Sequence, residues 1–413
     1  MASSFWKENL SILRIDEFQN PQKIIFGVDA VEKVGEEAKR LGGGKIIVIS
    51  DGNIEKAGIL SRILKRLEEK EVDITVLLRK DPSAEPTLAN ARTIAKEVRT
   101  KKYNIVIGVG GGSCLDSAKL AAAMATNTGD VREYCAKAKG DVKELEKDTL
   151  PKILIPTTAG TGSEASNTLV IIDKDYKTWI TDNKVLAEVA IVDPALTLTL
   201  PPQMTAGSGM DALSHVVEAL MSTRANPISD ALSLEAVNLI FANLRQAYYH
   251  GKDLEARWNM SLASFLGGWV IGFPWVGGPA NIGHCVAEAA GSKYGIPHGI
   301  ACAIALPYSM EYNLPAMPEK LALIASAMGH DNADLPLRKA ASKSVEAVFN
   351  LMEEIDLPTC LKEYNVPQKD LKSFAEYIIN ERQYLYDLQT MNPRKPTFEN
   401  IMQLLESMWA GKK

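Results

Sequence analysis
The sequence predicts an α/β N-terminal domain over residues 1–200 joined to an all-helical C-terminal domain over residues 201–413, and three observations carry this. A chain of 413 residues exceeds what one hydrophobic core usually organises, so two domains are expected. Short β-branched runs alternate with charged amphipathic stretches from residue 23 to residue 200, the rhythm of an α/β sheet. Beyond "DPALTLTLPPQ" the strand signal largely stops, and Pro201 and Pro202 mark the boundary because consecutive prolines break both helix and strand.

In chain order the predicted strands are "KIIVIS" from Lys45, "DITVLL" from Asp73, "NIVIGV" from Asn104, "KILIPT" from Lys152 and "VAIVD" from Val189. Helical periodicity then takes over in "PISDALSLEAVNLIFANLRQAYYH" and "EKLALIASAMG". Hydrophobic residues make up 46% and charged residues 23%, a globular balance that excludes a disordered or fibrous chain. A net charge of -5 supplies no basic field for phosphate backbones or acidic membranes, so nucleic acid is not an expected partner. The first twenty residues interrupt their apolar positions with Lys, Glu, Arg and Asp, unlike a secretory leader. No segment approaches the roughly 18 uncharged apolar residues of a membrane span. The five cysteines are scattered, odd in number and never spaced Cys-x-x-Cys, which fits a reducing, cytoplasmic setting. Each reads as a small buried hydrophobe, with Cys285 singled out because it follows a histidine.

Two strand ends carry the first functional signal. "NIVIGVGGGSCLDSAK" leads a strand into Gly110, Gly111, Gly112 and Ser113 and then into a helix bearing Asp116. Glycines let the backbone approach a ligand, and a helix N-terminus offers free N–H groups to a pyrophosphate. The same turn without a ligand is equally compatible with the glycines alone. "IPTTAGTGSEASNT" also follows a strand, where Thr157, Thr158 and Thr161 offer donors to phosphate, ribose or a nicotinamide amide. In open α/β sheets ligands bind outside the carboxyl ends of strands. Asp51 ends "KIIVISD", where a carboxylate can bind an adenosine ribose and repel a 2′-phosphate, favouring NAD over NADP; a plain turn aspartate is the other reading.

The second signal lies in the helical half. "GMDALSHVVEAL" places Asp211 and His215 four apart on one helix face, a spacing suited to one ion, although Glu218 continuing that face also fits an exposed polar stripe. His284 and His298 stand among small or apolar residues, whereas His250 and His330 sit among turn residues. One carboxylate and three imidazoles suit Fe²⁺ or Zn²⁺ and suit Ca²⁺ or Mg²⁺ poorly.

With these pieces together, the sequence resembles the iron-containing (group III) alcohol dehydrogenase family over nearly its whole length. "GGGSCLDSAK", "PTTAGTGSE", "GMDALSHVVEA" and "IPHGIACAIALPYSMEYN" occur in family order, and "MNPRKPT" is similar to the closing segment. The resemblance implies an N-terminal dinucleotide-binding α/β domain and a C-terminal helical domain, the fold shared with dehydroquinate synthase. It implies metal ligands at Asp211, His215, His284 and His298, and cofactor contacts at Asp51, Gly110, Gly111, Gly112, Ser113, Asp116, Thr157, Thr158 and Thr161. The implied cofactors are NAD(H) and a divalent ion, Fe²⁺ before Zn²⁺ or Mn²⁺. The implied reaction interconverts a small primary alcohol and its aldehyde, in a homodimer or larger homo-oligomer.

The family usually has a second histidine four residues after the first of the 284 segment, where this chain has Glu288. Glu288 is expected either to pair with Lys293 or lie solvated, or to act as a proton relay with its pKa raised by partial burial. Phe273, Trp275 and Tyr294 are candidate pocket aromatics, with plain core packing as the alternative. A dehydroquinate synthase-like lyase would need several cations for a phosphate ester, and residues 265 to 300 offer only Lys293. A reductase of an anionic small aldehyde and a non-catalytic metal- or nucleotide-binding protein are further alternatives.

Overall fold
The computed structural model describes residues 16–79, 86–136, 141–174, 176–274, 276 and 281–412. Residues 1–15, most of the stretch whose charges argue against a leader, and Trp275 lie outside that set. The N-terminal half runs β1 (Lys23–Phe26), α1 (Val34–Arg40), β2 (Lys45–Asp51), α2 (Gly52–Lys56), α3 (Ile59–Glu68), β3 (Asp73–Arg79), α4 (Leu88–Lys101), β4 (Ile105–Gly110), α5 (Gly112–Thr126) and β5 (Lys152–Pro156). It continues with β6 (Thr168–Asp173), β7 (Tyr176–Thr181) and β8 (Val189–Val192).

Six of these strands form one parallel sheet in the order β1-β8-β5-β4-β2-β3. Its middle strands are apolar at nearly every position because both faces are covered: Ile47, Val106 and Leu154 pack under one helical layer, Val48, Ile107 and Ile153 under the other. All five predicted strands form. The sequence reading missed β1, an edge strand of only four residues, and the antiparallel pair β6–β7. Lys177, Thr178 and Thr181 dilute the apolar signal of β7, while β6 alternates between buried and half-buried positions.

From Pro202 the described chain is helical: α6 (Pro202–Met221), α7 (Pro227–Tyr249), α8 (Leu254–Ile271), α9 (Ile282–Tyr294), α10 (His298–Asn313), α11 (Pro318–Ala327) and α12 (Leu337–Glu354). The C-terminal part comprises α13 (Leu371–Tyr377), a π-helical turn at Ile378–Arg382, and α14 (Phe398–Ala410). Pro202 opens α6 at a position whose N–H would be unpaired anyway, and Pro227 opens α7 behind an Asn226 cap. Helix α6 is buried almost along its length, which explains its apolar, all-round composition. Among the described residues, no helix is long and apolar enough to cross a membrane.

The two halves meet where the loop after β5 presses on α8. Gly162 has φ +58°, and a Cβ there would lie 2.4 Å from the Ser264 carbonyl oxygen, so only glycine allows this approach. The contact fixes the threonine-rich loop against the helical half.

Candidate active site
At the carboxyl end of the sheet, Gly110 on β4 and Pro156 on β5 are register partners, which brings the two ligand-type loops side by side. Thr157 N–H donates to the Gly110 carbonyl at 3.0 Å. Gly111 caps α5 without any side-chain hydrogen bond, leaving the helix N-terminus with its partial positive charge uncapped by side chains. Gly111, Gly112, Ser113, Thr158 and Thr161 are all partly accessible there.

Asp116 is buried, accepting from Ser163 Oγ at 2.6 Å and Val170 N–H at 3.0 Å, so it ties α5 to the threonine loop and to β6. Burial pushes its carboxyl above the usual range despite Lys119 and these donors. Asp51 is buried as well. One oxygen caps α2 through Asn53 and Ile54 N–H at 2.8 and 3.2 Å; the other accepts from Cys114 Sγ at 3.3 Å. Each carboxylate oxygen has two acceptor sites, so this capping leaves room for a ribose hydroxyl.

Two helices and the start of a third, α10, build the second cluster. Asp211 and His215 project from the buried face of α6, His284 from the first turn of α9, and His298 opens α10. Asp211 Oδ1 lies 3.7 Å from His215 Nε2, 3.8 Å from His284 Nε2 and 3.4 Å from His298 Nε2. That oxygen is buried with no hydrogen-bond partner, a costly state unless something else satisfies it. An ion beside that oxygen fits: donor atoms of Asp211, His284 and His298 lie within 4.8 Å of one another, a group that does not take in His215, and carboxylate plus imidazole is a donor set for Fe²⁺, Zn²⁺ or Mn²⁺.

Burial pushes the Asp211 carboxyl up, but the three histidines and Lys177 outweigh it and hold it below the ordinary range. Burial pulls His215 down to about 4, and burial with Lys177 pulls His298 down too, so both present the neutral imidazole a metal requires.

Glu218 is the residue the sequence reading passed over. Its position one turn beyond His215 suggested a solvated stripe, yet it is 1% exposed. Its Oε1 sits 2.8 Å from His284 Nδ1, and its Oε2 accepts from His284 N–H at 3.2 Å. Burial pulls the His284 imidazole down, but Cys302 and Glu218 outweigh it and hold its pKa well above the ordinary range, while the carboxylate on Nδ1 orients the ring with Nε2 on the Asp211 side.

Glu288 departs from expectation. Its carboxylate accepts from Arg382 Nη2 at 3.0 Å and from the Tyr386 hydroxyl, while Lys293 donates to Ser373 Oγ at 3.2 Å instead. Burial raises its pKa, but Lys177 and Arg382 more than reverse the effect, so the carboxyl is held below its usual value and the expected upward shift does not occur. Arg382 also donates to the Lys177 carbonyl at 3.1 Å, and Trp179 packs edge-on against Tyr386 at 5.3 Å. The cations of this site thus come from β7 and the C-terminal π-helical turn, outside the segment counted for the lyase reading. Of the candidate aromatics, Phe273 packs against Phe18 and Trp269, and Tyr294 against Phe374, as core residues.

Comparison with known proteins identifies the family. Residues 21–194 match the model for iron-containing alcohol dehydrogenases, and residues 205–409 match the C-terminal model of the Fe-containing alcohol dehydrogenase family. The chain is 35% identical to Long-chain-alcohol dehydrogenase 1 of Geobacillus thermodenitrificans, covering 93% of this chain and 94% of that protein. It is 34% identical to 1,3-propanediol dehydrogenase of Citrobacter freundii, covering 95% and 98% respectively. Among solved structures, a 1,3-propanediol oxidoreductase aligns with TM-score 0.87 at 33% identity, covering 95% of this chain and 99% of that one. An alcohol dehydrogenase from Oenococcus oeni aligns with TM-score 0.88 at 32% identity, covering 96% and 100%. The chain therefore belongs to the iron-containing alcohol dehydrogenase family and is an oxidoreductase.

Proposed function
We propose that this protein interconverts a small primary alcohol and its aldehyde with NAD(H), at a divalent ion held by Asp211, His215, His284 and His298. The observation that carries the reading is the buried, unpartnered Asp211 Oδ1 with three imidazole nitrogens 3.4 to 3.8 Å away. When bound, the ion, Fe²⁺ before Zn²⁺ or Mn²⁺, supplies Lewis acidity toward the substrate oxygen, and the nicotinamide supplies the hydride.

The chain's own groups do the positioning. Glu218 keeps the His284 proton on Nδ1, and burial keeps His215 neutral. Gly110, Gly111, Gly112 and Ser113 with the α5 N-terminus hold the pyrophosphate, Thr157, Thr158 and Thr161 bind farther along the dinucleotide, and Asp51 takes the ribose. Asp116 serves that end by holding the threonine loop through Ser163. Glu288 stands as an ionised carboxylate. As a relay it would accept the alcohol's proton against the pull of Lys177 and Arg382; as a fixed charge it would turn away acidic aldehydes. Residues 1–200 and 201–413 act in this reading as two domains, a division supported by β8 ending at Val192 and α6 starting at Pro202. The setting we propose is a cytoplasmic homo-oligomer.

The test is a screen of NADH oxidation against short neutral and acidic aldehydes after separate reconstitution with Fe²⁺, Zn²⁺ and Mn²⁺. The expected result is turnover of neutral aldehydes by metal-loaded enzyme only. Tight NAD binding without turnover under any ion would instead indicate a non-catalytic binding protein.

A further inference from the structure
The cysteine singled out from sequence, Cys285, is buried in the helical core. The one the fold delivers to the histidines is Cys302, on α10 one turn after His298 and 1% exposed. Its Sγ lies 3.7 Å from His284 Nε2 and 3.7 Å from the ring nitrogens of His298. Donor atoms of Asp211, His284, His298 and Cys302 all fall within 4.8 Å of one another.

These separations have the size of the edges of a coordination shell. With bonds of roughly 2.3 Å to sulfur and 2.0–2.1 Å to nitrogen, a five-coordinate ion whose donors stand about 90–120° apart spaces sulfur and nitrogen about 3.1–3.8 Å apart, and nitrogen and oxygen about 2.9–3.6 Å. The His298 contact follows from the four-residue helix spacing, whereas the His284 contact comes from another helix and is the one that points to a shared ion. An independent observation points to an ion at the same spot: Asp211 Oδ1, on a residue 3% exposed, has no hydrogen-bond partner.

We propose that Cys302 is a thiolate ligand of the ion in this protein, additional to the Asp211 and histidine donors, and that its sulfur biases the site toward Zn²⁺ over Fe²⁺. The inference rests on the metal-site reading above. Coordination by an ion deprotonates a thiol outright. On binding, the sulfur donates a lone pair to the cation and its proton passes to solvent, as for other coordinating thiols. No redox change is involved. Thiolate is a softer donor than carboxylate or imidazole, which is the physical reason for the zinc bias.

The experiment uses Co²⁺ alone as the probe, added to metal-stripped full-length protein, with Cys302→Ala and Cys302→Ser alongside. Wild type is expected to show cobalt d–d absorption together with a near-ultraviolet sulfur-to-cobalt charge-transfer band. Both variants should keep the d–d absorption and lose the charge-transfer band. Anaerobic competition should then show the Zn²⁺-over-Fe²⁺ preference falling on the order of 10–100-fold in the variants, the scale on which supporting groups tune metal affinity. Wild-type d–d absorption without the charge-transfer band overturns the role of Cys302 and leaves the metal site standing. Absence of any Co²⁺ uptake overturns the metal site itself, and the proposal with it. The wild-type spectrum decides the ligand question even where a variant fails to fold.

Discussion
The two ends of the site are built from different material. The nucleotide end is mainly backbone: a glycine turn and a threonine loop at adjacent strand ends, held together by β4–β5 register and by Asp116. The metal end is side chains, gathered from α6, α9 and α10 and braced by residues as distant in sequence as Lys177 and Arg382. A backbone-built site depends on close approach and tolerates little added bulk. A site built from buried side chains depends on charge balance, since each buried ion needs a partner. The two ends should therefore fail in different ways.

The largest expected effect is at the metal end. Asp211→Asn removes the carboxylate ligand, so metal content should fall together with kcat/KM, the latter by on the order of 10²–10³-fold or more. NADH binding, measured by fluorescence, should persist. Equal loss of NADH affinity would mean that the two ends are not separable.

The charge balance is tested next by Arg382→Met, which leaves Glu288 with the Tyr386 hydroxyl but without its buried guanidinium. Breaking a buried pair by removing one partner costs about 3–5 kcal/mol, read from urea unfolding at neutral pH. The sign with pH follows from the Glu288 carboxyl being held below its ordinary value of 4.5 in the folded chain. Stability from this group is full above that value and is lost as pH falls through the lower folded pKa. The gap between wild type and variant should narrow on acidification below about pH 4.5. A gap independent of pH would show that Glu288 contributes no linked ionisation.

At the nucleotide end the matching test is steric. A Cβ on Gly112 would lie 2.7 Å from Thr161 Cγ2, so Gly112→Val must push the threonine loop off the turn. Displacement of about 1 Å in a positioned site can cost on the order of 10²-fold, here expected in NADH affinity with metal content unchanged. The smallest effect is at Asp51. Asp51→Gly should relax the NADH-over-NADPH ratio of kcat/KM by on the order of tenfold, equivalent to about 1.4 kcal/mol of relieved repulsion. An unchanged ratio would mean that the carboxylate only caps α2.

The same contrast explains what the sequence made legible. The nucleotide loops stand out because backbone-built sites leave contiguous strings, "VGGGS" and "PTTAGTGS", each directly after an apolar strand. The candidate metal ligands stand out because histidine is rare here and Asp211 and His215 share a helix face. Glu218 shares it too and was taken for a solvated polar stripe, since spacing alone does not tell a buried face from an exposed one. Cys302 repeats the same four-residue spacing behind His298 and was overlooked in favour of the sequence neighbour of His284. Arg382 and Lys177 left no signal at all: they reach Glu288 and the histidines only through the β6–β7 pair and the π-helical turn, neither of which periodicity revealed.

The central claim, hydride transfer at an ion held by the Asp211 cluster, is tested most directly by following deuterium. Metal-loaded enzyme is given a short neutral aldehyde and NADH deuterated at nicotinamide C4, and the alcohol is analysed by mass spectrometry. The account predicts one deuterium on the carbinol carbon with the metal-loaded enzyme, and none with metal-stripped protein or Asp211→Asn. Equal deuterium transfer by the metal-stripped protein would contradict it.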